Sequence, residues 1–295
     1  MSEMQSRITN HESRIRRVTV IGAGTMGHGI AQVAAVAGYL THVTDANPEA
    51  IVSGRNRIQA NLGGAVARGK LTQAAADAAL SRVTGVPGVE DAARDADLVI
   101  EAILEDLVLK QSLFQQLDSV VGDDTILATN TSSLSVTRIA EATSRPARVV
   151  GMHFFNPVHI MKLVELIAHD SADPAVLDAV RAVAVKMGKT PILVRDSPGF
   201  ASSRLGVILG LEAMRMLEEG VASAVDIDTA MELGYGHPMG PLRVSDVVGL
   251  DVRLKIADYL HQAFGEQKFE APRILRDKVT RGELGKKTGR GFYDW

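Results

Sequence analysis

The chain has 295 residues, 46% hydrophobic and 23% charged, a balance that fits a folded two-domain protein and excludes an intrinsically disordered one. Its formal net charge of −3 supplies no general drive toward nucleic acid or an anionic membrane, so local clusters matter more than the total. With no cysteine in the chain, disulfides, thiolate metal sites and cysteine nucleophiles are excluded.

Residues 1–16 are polar, with Glu3 and Glu12 and no apolar core of a secretory signal, and read as a flexible tail. No apolar run approaches a membrane span, so a cytoplasmic location is expected. From Arg17 onward strands and helices alternate. Val18 to Ile21 is a short apolar run ending in glycines, the pattern of a buried parallel strand. Met26 to Ala37 predicts a helix stopped by Gly38, and Leu40 to Thr44 a second strand leading to Asp45. Asn47-Pro48-Glu49 supplies an N-cap, a first-turn proline and an acid for a helix running to about Arg68. Another helix is expected over Thr72 to Arg82.

Further buried strands are expected at Leu98 to Ile103, Ile126 to Thr129, Val149 to Phe154, Val164 to Ala168 and Ile192 to Val194. A helix from Glu105 to Val120 separates the first two. Beyond Asp196-Ser197-Pro198-Gly199 only helical patterns remain, at Phe200 to Glu218, Val225 to Leu233 and Val244 to Phe264. The expected fold is α/β: a Rossmann-type doubly wound, mostly parallel sheet over residues 17–196, then an all-helical domain over 197–295. That helical part is the expected surface of a homodimer.

Gly22-Ala23-Gly24-Thr25-Met26-Gly27 is a G-x-G-x-x-G between strand and helix. Gly22 permits the tight turn, Gly24 lets backbone approach a pyrophosphate, and Gly27 allows close helix–strand packing. Thr25 and Met26 open the helix whose N-terminus would face the phosphates. Asp45 stands 18 residues after Gly27, where an acid takes the ribose hydroxyls and repels the extra phosphate of NADP. The cofactor expected is therefore NAD.

Two stretches, Asn130-Thr131-Ser132-Ser133-Leu134 and His153-Phe154-Phe155-Asn156-Pro157, lie at carboxyl ends of expected strands, where open α/β sheets bind ligands. NAD-linked alcohol oxidation needs a base for the hydroxyl proton, and a neutral imidazole oriented by a carboxylate suits that task. Taken singly, His153 also fits a structural histidine, Ser132 or Ser133 a cap for a helix near Ser135 to Ala140, and Glu165 a solvated charge. Spacing does not choose among these.

The chain resembles the 3-hydroxyacyl-CoA dehydrogenase family from Val18 to its end, most of all the short-chain 3-hydroxybutyryl-CoA dehydrogenases. The resemblance is carried by VIGAGTMGHGIAQVAA at Val20, EAILEDLVLK at Glu101, TNTSSL at Thr129, HFFNPVHIMKLVE at His153, DSPGF at Asp196, GYGHPMGPL at Gly234 and GKKTGRGFYDW at Gly285. It implies hydride transfer between NAD and the 3-position of an (S)-3-hydroxyacyl-CoA. His153 would be the base, Glu165 its carboxylate partner, and Ser132 a hydrogen-bond donor to the reacting oxygen. Asn156 would place the nicotinamide, and Glu105, Lys110 and Lys287 would contact the cofactor. Asn61 and Arg68 would lie near the coenzyme A portion. The family usually has asparagine where this chain has Ser203, in Pro198-Gly199-Phe200-Ala201-Ser202-Ser203-Arg204; Ser203 is expected to serve directly or through a water.

Coenzyme A carries several phosphates and needs cations. Between Pro48 and Lys70, Arg55, Arg57, Arg68 and Lys70 stand against the single acid Glu49, four charges against one and a local excess of +3. A dehydrogenase of a small free hydroxy acid, of the gulonate type, is one alternative, and those cations speak against it. An NAD(H)-sensing binding protein is another, and it would not need Ser132, His153 and Glu165 together.

Overall fold

The computed structural model describes residues 15–295, so most of the tail expected over 1–16 lies outside the described residues. The chain divides into two compact units, with the boundary between Asp196 and Ser197.

The first unit is built on an eight-stranded sheet of order β3-β2-β1-β4-β5-β6-β7-β8. Its strands are β1 (Arg17–Ile21), β2 (Leu40–Thr44), β3 (Val83–Gly85), β4 (Leu98–Glu101), β5 (Ile126–Thr129), β6 (Val149–Phe154), β7 (Leu163–Ala168) and β8 (Thr190–Arg195). The strands from β3 across to β6 are mutually parallel, β7 is antiparallel to β6, and β8 is parallel to β7. The helices are α1 (Gly27–Val36), α2 (Pro48–Ala67), α3 (Gln73–Ser81), α4 (Val89–Ala93), α5 (Leu107–Val120), α6 (Val136–Ala140) and α7 (Pro174–Lys186).

Both faces of the sheet are covered. Val18, Val20, Ile100 and Met152 join one apolar cluster with Ile30, Ile58, Ala79 and Val180 from α1, α2, α3 and α7. Ile21, Val99, Leu127 and Val149 join the other with Ala93, Phe114 and Ile139 from α4, α5 and α6. Burial on two faces is why these strands read as unbroken apolar runs.

Local chemistry fixes the helix ends. Asn47 accepts from the Glu49 amide and Pro48 opens α2 as expected. Asp173-Pro174 repeats that signature at α7, which is not among the expected elements. Several expected features differ in this unit. The strand at Ile192 to Val194 is an exposed edge rather than a buried strand, with Leu193 52% accessible. The helix expected from Glu105 begins at Leu107, because Asp106 caps it through the Leu109 amide. Ser135, not Ser132 or Ser133, caps α6 through the Arg138 amide.

The second unit contains α8 (Ser202–Glu218), α9 (Ala224–Tyr235), α10 (Pro241–Val248), α11 (Leu250–Phe264) and α12 (Arg273–Thr280) around a core of Leu211, Met214, Leu242, Leu260 and Leu275. The single helix expected over Val244 to Phe264 is broken at Gly249, whose φ of 103° no helical residue adopts. Asp246, buried at the end of α10, accepts from the amides of Phe292 and Tyr293 and from the Trp295 indole, and so ties the C-terminal string to the helices. No helix among the described residues is long and apolar enough to cross a membrane.

Candidate active site

The carboxyl ends of β1, β2, β4, β5 and β6 lie on one edge of the sheet because those strands run parallel, and the Gly22–Gly27 loop, Asp45, Glu105 and the Asn130–Ser133 loop follow them there. At β1, Gly22 adopts φ 99°, and a Cβ on it would stand 2.5 Å from the Ala102 carbonyl oxygen. A Cβ on Gly27 would fall 1.6 Å from the Gly22 oxygen, so helix and loop meet only through glycine. The position of Gly24 is open, with nothing within 4 Å of where a Cβ would sit. Two glycines therefore pack and one faces free space, the division of labour that a phosphate-cradling loop requires.

Asp45 closes β2. One of its oxygens accepts the Ala23 amide at 2.7 Å and the other the Asn47 amide at 2.9 Å. A carboxylate has about four acceptor directions, so capacity remains for a ribose diol. These groups fit an NAD: Gly24, Thr25 and Met26 are the residues that would hold its pyrophosphate, and Asp45 is the acid that would hold its adenosine ribose.

At the next strand ends lies a network that the sequence only partly disclosed. Glu101 ends β4 fully buried. It accepts from the Ile103 amide and the Thr129 hydroxyl, each at 2.7 Å, and from the Lys110 ammonium at 2.5 Å. Lys110 is itself buried and reaches toward Glu105 at 3.5 Å. Glu105 then gathers the loop after β5. Its Oε1 accepts from Thr131 Oγ1 at 2.6 Å, the Ser132 amide at 2.8 Å, Ser132 Oγ at 3.2 Å and the Ser133 amide at 3.2 Å. Burial works to raise the Glu105 pKa, but Lys110, Thr131 and Ser132 together hold it below the usual glutamate value. Glu101 was not among the expected site residues, although a charge ending the apolar run Leu98-Val99-Ile100 demands a partner, and Lys110 stands nine residues on.

His153 and Glu165 are register partners across the antiparallel β6–β7 pair, so their side chains rise from the same face of the sheet. His153 Nδ1 lies 2.7 Å from Glu165 Oε2, both side chains are buried, and the imidazole rests against the Phe155 ring with centroids 4.5 Å apart. Asn130 accepts the Phe154 amide at 2.8 Å, which fastens the Ser132 loop to the strand carrying His153. Asn156 lies exposed just beyond that strand.

Residues 17–197 match the family model for the NAD-binding domain of 3-hydroxyacyl-CoA dehydrogenase, and residues 199–295 match the model for its C-terminal domain. The chain belongs to the 3-hydroxyacyl-CoA dehydrogenase family. It is 45% identical over 281 residues to a probable 3-hydroxybutyryl-CoA dehydrogenase of Bacillus subtilis, covering 95% of this chain and 98% of that protein. It is 42% identical to the mitochondrial hydroxyacyl-coenzyme A dehydrogenase of Rattus norvegicus, over 95% of this chain and 91% of that one. Among solved structures, (S)-3-hydroxybutyryl-CoA dehydrogenase PaaH1 from Ralstonia eutropha superposes with a TM-score of 0.92 at 42% identity, covering 95% of this chain and 99% of that one. The enzyme is an NAD-dependent oxidoreductase.

Its remaining expected site residues are placed as follows. Asn61 donates to Gln32 at 3.0 Å, linking α2 to α1, and Arg68 caps the end of α2 with its guanidinium folded back toward Gly64. Ser203 is in the first turn of α8. The Lys287 ammonium donates to both oxygens of Asp251, at 2.6 and 2.7 Å. Among the described residues no group of three or more acidic or histidine side chains is arranged to hold a metal.

Proposed function

We propose that the enzyme interconverts (S)-3-hydroxyacyl-CoA and 3-oxoacyl-CoA with NAD, with 3-hydroxybutyryl-CoA and acetoacetyl-CoA as its substrate pair, in the cytoplasm and as a homodimer through its helical unit. The observation that carries this reading is the buried 2.7 Å contact between His153 Nδ1 and Glu165. A carboxylate only accepts, so Nδ1 carries a hydrogen and Nε2 presents its lone pair. As the alcohol is oxidised, Nε2 takes the hydroxyl proton and Glu165 stabilises the imidazolium that forms, as the acid of a catalytic triad does. NAD, held by Gly24, Thr25, Met26 and Asp45, would supply the acceptor for the hydride from C3.

Ser132 holds the reacting oxygen. Its hydroxyl points at Glu105 here, so engaging substrate exchanges that 3.2 Å bond for a new one while its amide keeps the 2.8 Å anchor. Asn156 orients the nicotinamide, and Ser203 supports the substrate oxygen directly or through a water. Asn61 and Arg68 serve the coenzyme A portion. Lys110, Glu105 and Lys287 belong to the cofactor side. For Lys110 the burial and ion pairing favour support of Glu105 over direct contact.

The test is NADH consumption with acetoacetyl-CoA, run beside free acetoacetate and with NADPH as second cofactor. Turnover with the thioester and NADH alone is expected. Turnover of free acetoacetate at a similar kcat/KM overturns the thioester assignment, and absence of turnover despite NADH binding overturns the reaction.

A further inference from the structure

In the helical unit, a cation occupies a position that the helix repeat reserves for an apolar side chain. Leu250, Arg253, Ala257 and Leu260 recur at helical spacing along α11 and are its buried residues. Leu250, Ala257 and Leu260 join the apolar core beside Val207 and Leu211 of α8. Arg253 is only 7% accessible, and its Nε is buried without a hydrogen-bond partner among the described residues. The guanidinium reaches across to α8, where a Cβ on Gly206 would stand 3.4 Å from Nη1 and 4.0 Å from Nη2. Gly206 itself places no side chain there, and a larger residue would crowd those two nitrogens.

A buried charge is costly unless it is paired, and the buried acids of this unit are engaged elsewhere. Asp246 accepts from the Phe292 and Tyr293 amides and the Trp295 indole. Asp228 accepts from the Leu242 and Arg243 amides and the Tyr293 hydroxyl. Asp251, two residues before Arg253 on α11, holds the Lys287 ammonium with both oxygens. Burial alone pushes the Arg253 pKa down, to about 10, with no charged neighbour among the described residues contributing. At neutral pH the group is therefore a fixed cation without a counterion in its own unit.

Gly206 stands one turn of α8, about 4.5 Å along the axis, from Ser203, which the function proposed above puts at the substrate oxygen. We propose, on that placement of Ser203, that Arg253 is a specificity-determining residue for a carboxylate at the far end of the acyl chain, so that the enzyme takes 3-hydroxyacyl thioesters of dicarboxylic acids. A guanidinium grips a carboxylate through two parallel N–H···O bonds, and Nη1 and Nη2 are the nitrogens nearest Gly206. An anion so near the reacting oxygen belongs to the acyl end, because the phosphates of coenzyme A lie a full pantetheine arm from the thioester. Pairing displaces no existing partner of Arg253, so a charged chain end gains the whole interaction while a methyl end leaves the cation unpaired.

Oxidation of (S)-3-hydroxyhexanedioyl-CoA beside (S)-3-hydroxyhexanoyl-CoA tests this, since the two chains are of equal length and end in a carboxylate and a methyl group. Acetoacetyl-CoA reduction is the control for the reaction itself. In the whole enzyme kcat/KM is expected to favour the carboxylate by roughly ten- to hundredfold, the worth of a charge-assisted hydrogen bond. Arg253→Met should remove or invert that preference, and Arg253→Lys should keep part of it. Calorimetric Kd values for the two thioesters read the same ratio without turnover. Arg253→Met should also be no less stable than the parent in urea, because it replaces an unpaired buried charge with an apolar chain. A parent ratio near one, or an unchanged ratio in Arg253→Met, overturns the assignment. So does a marked loss of stability in that variant, which would reveal a structural partner for the guanidinium. Loss of acetoacetyl-CoA turnover with the carboxylate preference intact in Kd would count against the reaction and in favour of Arg253.

Discussion

The Glu101–Lys110 pair gives a prediction with a worked magnitude. Both side chains are essentially inaccessible, at 0% and 1%, and their charged atoms are 2.5 Å apart. At an effective dielectric of about 20 their attraction is about 7 kcal/mol. It is offset by desolvation of several kcal/mol for each ion, so the net value of the pair is small. Removing one partner is different, because it strands the other. Lys110→Met leaves the Glu101 carboxylate buried with only the Ile103 amide and Thr129 hydroxyl as donors, and is expected to cost about 3–5 kcal/mol. At about 2–4 °C per kcal/mol for a domain of this size, the midpoint falls by about 6–20 °C. Adding Glu101→Gln removes the stranded charge, keeps an oxygen to accept from the Ile103 amide while the Thr129 hydroxyl turns to accept from the new amide nitrogen, and should restore most of that loss. Urea unfolding of the two single variants and the double completes the cycle. A coupling below about 1 kcal/mol refutes the claim that the pair is buried and mutually dependent. The same proteins address Lys110 at the cofactor. If it touches NAD, the double variant regains stability yet binds NADH more weakly than the parent, whereas a purely supporting lysine lets affinity recover with stability.

Glu165→Gln should keep NADH affinity and lower kcat by about 10²–10⁴, as loss of an orienting carboxylate does elsewhere, and His153→Ala should do at least as much; equal loss of cofactor binding would make the pair structural. Asp45→Ala is expected to weaken NADH binding and improve relative use of NADPH, and an unchanged preference in steady-state kinetics would remove Asp45 from the ribose. Glu105 titrates below its unfolded value, so its stabilisation is present above about pH 4.5 and lost as pH falls through the folded pKa. Glu105→Gln should therefore be less stable than the parent near neutrality and converge with it in acid, in paired urea titrations; a constant gap would contradict the assignment. Ser203→Ala should lower kcat and Ser203→Asn should retain or raise it, and if both leave kcat unchanged Ser203 has no part in holding the substrate oxygen.

The strand, glycine loop and helix at Gly22 to Gly27 were legible because their chemistry is local. Gly22, Gly24, Gly27 and Asp45 lie on consecutive elements whose ends the backbone itself dictates. His153 and Glu165 were not pairable from spacing, since a twelve-residue separation says nothing until β6 and β7 are known to be antiparallel and in register. Glu105 was sought on a helix, and a shift of two residues in the helix start turned it into the loop anchor for Thr131, Ser132 and Ser133. The exposure of β8 was hidden because an edge strand rich in Ile192, Leu193 and Val194 has the same apolar signature as a central one. The break at Gly249 was hidden because one glycine in a long periodic helix costs only about 1 kcal/mol and does not announce its φ.

The pairing of His153 with Glu165 through the sheet has a consequence for how such an enzyme can change. Their separation is set by backbone ladder bonds between β6 and β7, while residues 155–162, with Phe155 against the imidazole, connect the two strands. Insertions or substitutions in that connector can reshape what the chain recognises without moving the pair, provided the strand register survives. On the function proposed above, a library confined to the connector should yield altered binders far more often than misaligned His153–Glu165 pairs.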